Sequence, residues 1–168
     1  DMVKAAYSSG VPAYGVGAGN STMVIDETAD IAEAARNTRL SKMSDFGSGC
    51  SADGNLVVEA SIYEAFRAKL IEEGGHLASP HETELLRAAL WDEQGHRTPD
   101  TIAISAKALA ARAGFEVPAD RRFFIVEQTE IGKHNLFSSE KLGVVLSMFR
   151  YTGFEHALEM VRAIYDVG

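Results

Sequence analysis

Apolar residues recur along this chain with two periods, one typical of amphipathic helices and the other typical of short buried strands. Helical spacing predicts helices at residues 2–9, 27 to about 43, 105–113 and 154 to about 164. Runs of β-branched and aromatic residues predict strands at residues 12–16, 22–25, 55–59, 123–127 and 144–149. Because strands alternate with helices, the pattern predicts one α/β domain with a largely parallel sheet flanked by helices.

Two further helices are predicted from their start signals. Ser61 and Glu64 have the spacing of a capping box, in which each side chain satisfies a free backbone N–H of the first turn. A second start combines Ser79 as the N-cap with Pro80 at the first helical position and Glu82 at the third. The first of these helices is expected to stop at Gly74.

Composition and charge exclude several function classes. A net charge of −8, with dispersed Lys and Arg, disfavours binding to a nucleic-acid backbone. No apolar run approaches the length of about 18 residues that spans a bilayer. The single cysteine excludes an internal disulfide and fits a reducing compartment, so a cytoplasmic protein is expected. The chain starts at Asp1, just before a helical stretch, which predicts an excised piece of a longer protein.

Two glycine-rich segments are the candidate sites for chemistry. The first, residues 15–20, follows a predicted strand but lacks the full dinucleotide-binding spacing, so a tight turn and a nucleotide site both stay open. The second surrounds Cys50, in a small-residue break between a helix and a strand that leaves room for a substrate at the sulfur. From spacing alone, a structural and a reactive Cys50 are both tenable. The five histidines lack metal-ligand spacing, and no metal site is expected.

Several segments together resemble the acylating branch of the aldehyde dehydrogenase superfamily, which includes the aldehyde dehydrogenase half of bifunctional aldehyde–alcohol dehydrogenase. The matching segments are residues 2–10, 15–20, 24–30, 41–50 and 137–142. Between about residue 76 and residue 120 only the helical character matches. The resemblance implies the fold of an aldehyde dehydrogenase catalytic domain over residues 1–168.

The resemblance assigns three residues. Cys50 falls at the position of the catalytic nucleophile. Gly17 falls where the family's backbone lies against the nicotinamide, and Glu140 where a carboxylate accepts hydrogen bonds from the nicotinamide ribose. Without the family pattern, a helix-start or surface charge is the favoured interpretation of Glu140.

One position differs from hydrolytic aldehyde dehydrogenases, which have a Glu general base at the head of a Glu-Leu-Gly-Gly-Lys motif. Val16 stands at that head, and the motif ends in Asn20. The implied chemistry is attack of the Cys50 thiolate on an aldehyde, hydride transfer to NAD or NADP, and formation of a thioester. Because water needs a base to break a thioester whereas a thiol is partly ionised at neutral pH, the expected acceptor is coenzyme A.

The chain also departs from the family pattern near the cysteine. Phe46 stands where the family has Asn after Asp, Gly49 precedes the cysteine, and Gly143 replaces the Ser of a Ser-Pro pair. These changes lie beside the substrate position and leave the aldehyde open. A small anionic aldehyde such as sulfoacetaldehyde is one candidate.

The family's Rossmann cofactor domain and its C-terminal segment have no counterpart in residues 1–168, so the isolated piece is expected to fold but to show little turnover. The expected partners are a small aldehyde and, in the full-length protein, further copies of the same chain. Two alternatives stay open: a noncatalytic binding or assembly module that retains the fold, and a hydrolytic aldehyde dehydrogenase whose base is supplied elsewhere.

Overall fold

The computed structural model of the chain describes residues 2–15 and 19–167. The helices are α1 (Met2–Tyr7), α2 (Ile31–Met43), α3 (Tyr63–Glu72), α4 (Pro80–Leu90), α5 (Ala106–Ala113) and α6 (Phe154–Tyr165). The strands are β1 (Thr22–Ile25), β2 (Asn55–Glu59), β3 (Gly75–Leu77), β4 (Phe123–Glu127) and β5 (Val145–Tyr151). Short 3-10 turns lie at Ser44–Gly47, Pro99–Thr101 and Leu136–Ser138.

The five strands form one sheet in the order β1-β2-β5-β4-β3, and every neighbouring pair is parallel. In the register, Val57 of the second strand lies between Val24 and Phe149. The predicted parallel α/β architecture is therefore confirmed. Since parallel strands begin at the same edge of a sheet, the segments that precede β1, β2 and β5 are brought to one edge.

Both faces of the sheet are covered, as parallel sheets require. Leu56, Val58 and Met148 pack into the larger core, which α2 to α5 also enter. Val57 and Phe149 point to the opposite face, where α6 supplies Ala157 and Ile164. Burial of both faces fixes the strand register, because a slip by one residue would move every side chain of a strand to the opposite face of the sheet.

Three local predictions differ from the structure. Residues 12–15 form no strand, and Val16 lies outside the described residues. The second helix begins at Ile31 and not at residue 27, because Asp30 caps it by accepting a hydrogen bond from the Glu33 N–H at 3.0 Å. Ser61 caps no helix: its N–H and hydroxyl both donate to Glu59, and α3 starts without a side-chain cap.

The bounds of the other predicted helices and strands agree more closely with the structure. Strands at 55–59 and 123–127 have the predicted bounds, and the capping box at Ser79 is present. The short strand β3 was missing from the prediction. Among the described residues, no helix is long and apolar enough to cross a membrane.

Candidate active site

Three loops meet at the amino edge of the sheet and form the candidate active site. Gly19 lies just before β1, Cys50 just before β2, and Glu140 just before β5. The order of strands in the sheet places β1 and β5 on the two sides of β2, so the loop of Cys50 lies between the other two. The site is thus built by topology from positions more than a hundred residues apart in sequence.

A left-handed turn carries the chain from α2 to the loop of Cys50. Asp45, Phe46 and Gly47 have φ angles of 46°, 51° and 69° in succession. Gly47 is required there for a second reason, because a Cβ on it would lie 2.6 Å from the carbonyl oxygen of Gly143. The turn therefore packs directly on the segment that precedes β5 and leaves Cys50 exposed to solvent.

Gly19 lies against both Cys50 and Glu140. Its N–H donates a hydrogen bond to Glu140 Oε1 at 3.1 Å. A Cβ built on Gly19 would lie 2.8 Å from that same oxygen and 2.9 Å from Cβ of Cys50. Gly19 thus lies against both Cβ of Cys50 and the carboxylate of Glu140, an approach that a larger residue would not permit.

A buried polar network ties the three loops together behind the thiol. Asn55 donates to Asn20 Oδ1 at 2.8 Å and accepts from Lys141 Nζ at 3.1 Å. Asn20 in turn donates to the carbonyl oxygens of Ser138 and Ile164, at 2.9 and 3.1 Å. Because buried polar groups with all their partners rigidify their surroundings, this network holds the loops in register.

Two buried lysines lie beneath the site, and they differ in their partners. Lys141 is 1% exposed, and it donates to the carbonyl oxygens of Phe137 and Ser139 as well as to Asn55. Burial lowers the pKa of Lys141 well below its ordinary value, and the charges of Lys42 and Arg97 add to the effect. Its three oxygen acceptors oppose that shift by stabilising the ammonium form.

Lys42 is equally buried, at 1% exposure, in the last turn of α2. Burial lowers its pKa from 10.5 to about 7, and the nearby charge of Asp53 opposes the shift. Asp53 is itself buried, at 6% exposure. Burial raises the pKa of its carboxyl, and hydrogen bonds from Ser41 and Thr38 and the charge of Lys42 oppose that shift. A titratable amine therefore lies in the wall of the site.

A narrow cavity of about 10 Å³ lies behind the thiol and is shared by Cys50, Lys42, Glu140 and Lys141. A second cavity of about 170 Å³ adjoins it across Gly49 and is polar, with Ser41 and Asp45 among its walls. At the opposite, carboxyl edge of the sheet, a cavity of about 360 Å³ is lined by acidic side chains and Tyr151. That wider cavity contains no nucleophilic thiol.

The structure describes two of the three site residues predicted from the sequence. Cys50 and Glu140 are brought together, as the assignment of Cys50 required. Gly17 lies outside the described residues, so its predicted place beside a nicotinamide stays a prediction. Among the residues described, no group of three or more His, Cys, Asp or Glu side chains has a geometry that could hold a metal ion.

Sequence analysis assigned no individual role to Gly19, Asn20, Lys42 or Lys141, although Gly19 and Asn20 lie in the first glycine-rich segment. Of these four, Lys42 carried a usable local signal for burial. Lys42 follows Ala35 and Thr38 at helical spacing, so it falls on the buried face of α2. Asn20 stands where the hydrolytic motif has its Lys, but its contacts with Ser138 and Ile164 have no local sequence signal.

Comparison with known proteins agrees with this architecture. A sequence model described as the aldehyde dehydrogenase family matches residues 14–163. A sulfoacetaldehyde dehydrogenase of Acholeplasma is 38% identical over 97% of this chain. The bifunctional aldehyde-alcohol dehydrogenase of Escherichia coli is also 38% identical, over 99% of this chain. The crystal structure of an acetylating aldehyde dehydrogenase from Geobacillus thermoglucosidasius superposes with a TM-score of 0.94 at 36% identity, over 99% of this chain.

The chain spans only part of each of these proteins. It covers 34% of the sulfoacetaldehyde dehydrogenase, 19% of the bifunctional enzyme and 37% of the Geobacillus chain.

Proposed function

This chain belongs to the aldehyde dehydrogenase family, and we propose that it is the catalytic region of a coenzyme-A-acylating member in which Cys50 is the nucleophile. The observation that carries the proposal is an exposed cysteine whose carbonyl oxygen and Cβ lie against Gly19, the same residue that donates a hydrogen bond to Glu140. The similarity to an acetylating aldehyde dehydrogenase from Geobacillus thermoglucosidasius supports acyl transfer as the reaction class.

The proposed reaction begins at the sulfur. The Cys50 thiolate adds to the carbonyl carbon of an aldehyde, and the carbonyl oxygen becomes the oxyanion of a thiohemiacetal. A nicotinamide cofactor, NAD or NADP, supplies the acceptor for the hydride that leaves this carbon. The acyl group then remains on the sulfur of Cys50 as a thioester.

Breakdown of that thioester decides the product. Water at neutral pH needs a general base, whereas an ordinary thiol, with a pKa of about 8.5, is already partly thiolate. Val16 offers no carboxylate at the position where hydrolytic relatives carry their base. We therefore infer that the thiol of coenzyme A accepts the acyl group and that Cys50 leaves as thiolate.

Glu140 fits a role in holding the cofactor. Its Oε1 is engaged by the N–H of Gly19, and its side chain is only partly buried, so the carboxylate is accessible to a further donor such as a ribose hydroxyl. A carboxylate held in this way is fixed in place beside the thiol. We propose it as a cofactor-positioning group together with Gly17.

The wider assignments remain proposals of the same kind. The substrate is proposed to be a small aldehyde, and the 38% identity to a sulfoacetaldehyde dehydrogenase of Acholeplasma supports sulfoacetaldehyde as one candidate. We propose a cytoplasmic, homo-oligomeric full-length protein in which a further domain binds most of the nucleotide. The isolated residues 1–168 are then expected to give little dehydrogenase turnover.

Acyl transfer tests the proposal without any nucleotide. Incubation of the 168-residue chain with acetyl-CoA is expected to move one acetyl group to Cys50, detected by mass spectrometry as a hydroxylamine-labile adduct. Cys50→Ala is the control for acylation elsewhere. Absence of a thioester on a folded chain contradicts the assignment of Cys50.

The intact protein separates acylating from hydrolytic chemistry. With aldehyde and NAD or NADP, product formation is expected to depend on coenzyme A and to give the acyl-CoA. Rapid release of free acid without coenzyme A supports the hydrolytic alternative.

A further inference from the structure

The cavity of about 360 Å³ at the carboxyl edge of the sheet has the features of a second binding site. Asp26 directly follows β1, Glu59 is the last residue of β2, and Tyr151 is the last residue of β5. These three strands are neighbours in the sheet, and Glu59 pairs with Tyr151 in the register. The carboxyl ends of neighbouring strands are the usual ligand site of an open parallel sheet, and the volume suits a small molecule.

Tyr151 is the residue of this cavity that points most directly to a ligand. It is only 2% exposed, and its ring packs in the smaller core with Ala157 and Ile164. Among the described residues, none forms a hydrogen bond with its hydroxyl, although the residue lines the cavity. Because the hydroxyl of a buried tyrosine normally has a partner, this one is available to a group that binds in the cavity.

Two carboxylates at the cavity are held in place by their own loops. Asp26 Oδ1 accepts hydrogen bonds from the N–H and the hydroxyl of Thr28, at 2.9 and 2.6 Å. Glu59 Oε2 accepts from the N–H of Ser61 at 2.5 Å and also from its hydroxyl. These hydrogen bonds lower the pKa of Asp26 and of Glu59, so both carboxylates are charged at neutral pH.

The charge around the cavity is negative. Asp26, Glu27 and Glu59 line it, and the described lining residues include no lysine, arginine or histidine. Burial raises the pKa of Tyr151, and the charges of these three carboxylates raise it further, so its hydroxyl lies within their field. The amino end of α6 borders the cavity at Phe154, but its charge of about +0.5 offsets only part of three negative charges.

We propose that this cavity binds a small organic cation with ammonium or guanidinium groups. The N–H groups of the cation donate to the carboxylates of Asp26 and Glu59 and to the hydroxyl oxygen of Tyr151. The ring of Phe154, which is 65% exposed at the rim, offers a cation–π contact. A metal ion fits less well, because the acidic side chains of the described residues form no group with metal-binding geometry. Three carboxylates favour a dication, and a diamine is the simplest ligand of this class.

Titration of the 168-residue chain with putrescine, followed by calorimetry, tests the proposal. Saturable binding is expected, whereas the uncharged diol with the same carbon skeleton is expected not to bind. Tyr151→Phe keeps the ring and removes the hydroxyl, so Kd is expected to rise about tenfold through loss of a hydrogen bond to a charged group. Glu59→Gln is expected to raise Kd at least as much. The matched control is Glu116→Gln, which removes an equal charge from an exposed position after α5 and should leave Kd unchanged.

Four results of the titration overturn the proposal. They are the absence of saturation up to about 10 mM putrescine, an unchanged Kd in Tyr151→Phe, an equal rise of Kd in Glu59→Gln and Glu116→Gln, and displacement of putrescine by an equal concentration of Mg²⁺ at constant ionic strength. A blocked tripeptide with lysine at its centre distinguishes a free amine from a protein side chain. Tighter binding of that tripeptide than of putrescine also overturns the assignment to a small molecule.

NMR of the unsubstituted chain replaces the variants if Tyr151→Phe does not fold. The ¹³C resonances of Tyr151 Cζ and Glu59 Cδ are expected to shift on addition of putrescine with one common Kd. Saturable binding without a response at either atom overturns the proposal. The inference does not rest on the proposed function, because Cys50 lies at the opposite edge of the sheet and no aldehyde, nicotinamide or coenzyme A enters the test.

Discussion

At the scale of single residues, Gly19 is the position where the site tolerates least change. A methyl group there would overlap the main chain of Cys50 and approach Glu140 Oε1 to 2.8 Å. Gly19→Ala is therefore expected to move the thiol relative to the carboxylate. Because displacement of a reacting group by about 1 Å can lower a rate about 100-fold, acyl transfer from acetyl-CoA to Cys50 should fall by that order.

Gly49 provides the matched control for Gly19. It directly precedes Cys50, but a Cβ on it would meet nothing within 4 Å, and its φ angle is not positive. Gly49→Ala is expected to retain the acyl transfer rate. Equal rates in the two variants would show that the close packing at Gly19 has no bearing on the reaction.

Phe46 is held in a conformation that suits another residue better. Its φ of 51° is left-handed, where Asn is enriched and an aromatic residue is strained by about 1–2 kcal/mol. Its side chain is 41% exposed, so its removal sacrifices little burial. Phe46→Asn is expected to raise the free energy of unfolding by about 1 kcal/mol in urea denaturation. Phe46→Ala, which lacks the preference of Asn, should show no such gain.

At the scale of secondary-structure elements, only one of the two helix starts predicted from serine signals has a side-chain cap in the structure. Ser79 accepts from the Glu82 N–H at 3.2 Å, and Glu82 accepts from the Ser79 N–H at 2.7 Å. Ser79→Ala is expected to lower the free energy of unfolding by about 1 kcal/mol. Ser61→Ala, at the site where the structure has no cap, is expected to lower it by less. Equal losses in thermal or urea unfolding would contradict the difference seen between the two helix starts.

The elements that sequence analysis could predict are those with a strong local period or cap. The strands 55–59 and 123–127 are continuous apolar runs, and α5 has Ser105 at one end and Gly114, with a φ of 88°, at the other. The strand β3 is only three residues long and includes His76, so its sequence has no strand pattern of its own. Its pairing with β4 defines it as a strand. The strand prediction at residues 12–15 was wrong. These residues have an apolar pattern, but they pair with no strand among the described residues.

At the scale of the whole molecule, the candidate site depends on long-range contacts that no local pattern contains. Cys50 and Glu140, which the resemblance assigns to the site, both lie against Gly19, but the contacts of the residues behind them are seen only in the structure. Asn20, Asn55 and Lys141 meet because β2 lies between β1 and β5. The residue type alone does not distinguish a buried lysine from a surface lysine. Only its position on the apolar face of a helix indicates that it is buried.

The burial of Lys42 predicts a dependence of stability on pH. Its pKa is about 7 in the folded chain and 10.5 when exposed, so between these values the unfolded chain binds more protons. Stability contributed at this position is therefore lowest below about pH 7 and rises with pH, by at most about 1.4 kcal/mol per pH unit. Lys42→Met removes this contribution, so urea denaturation from pH 7 to pH 9 should show the unsubstituted chain gaining stability relative to the variant. Lys69→Met, at a half-exposed lysine that pairs with Glu72, should show no such gain. Parallel pH curves for Lys42→Met and the unsubstituted chain would mean that the Lys42 amine keeps its ordinary ionisation after folding.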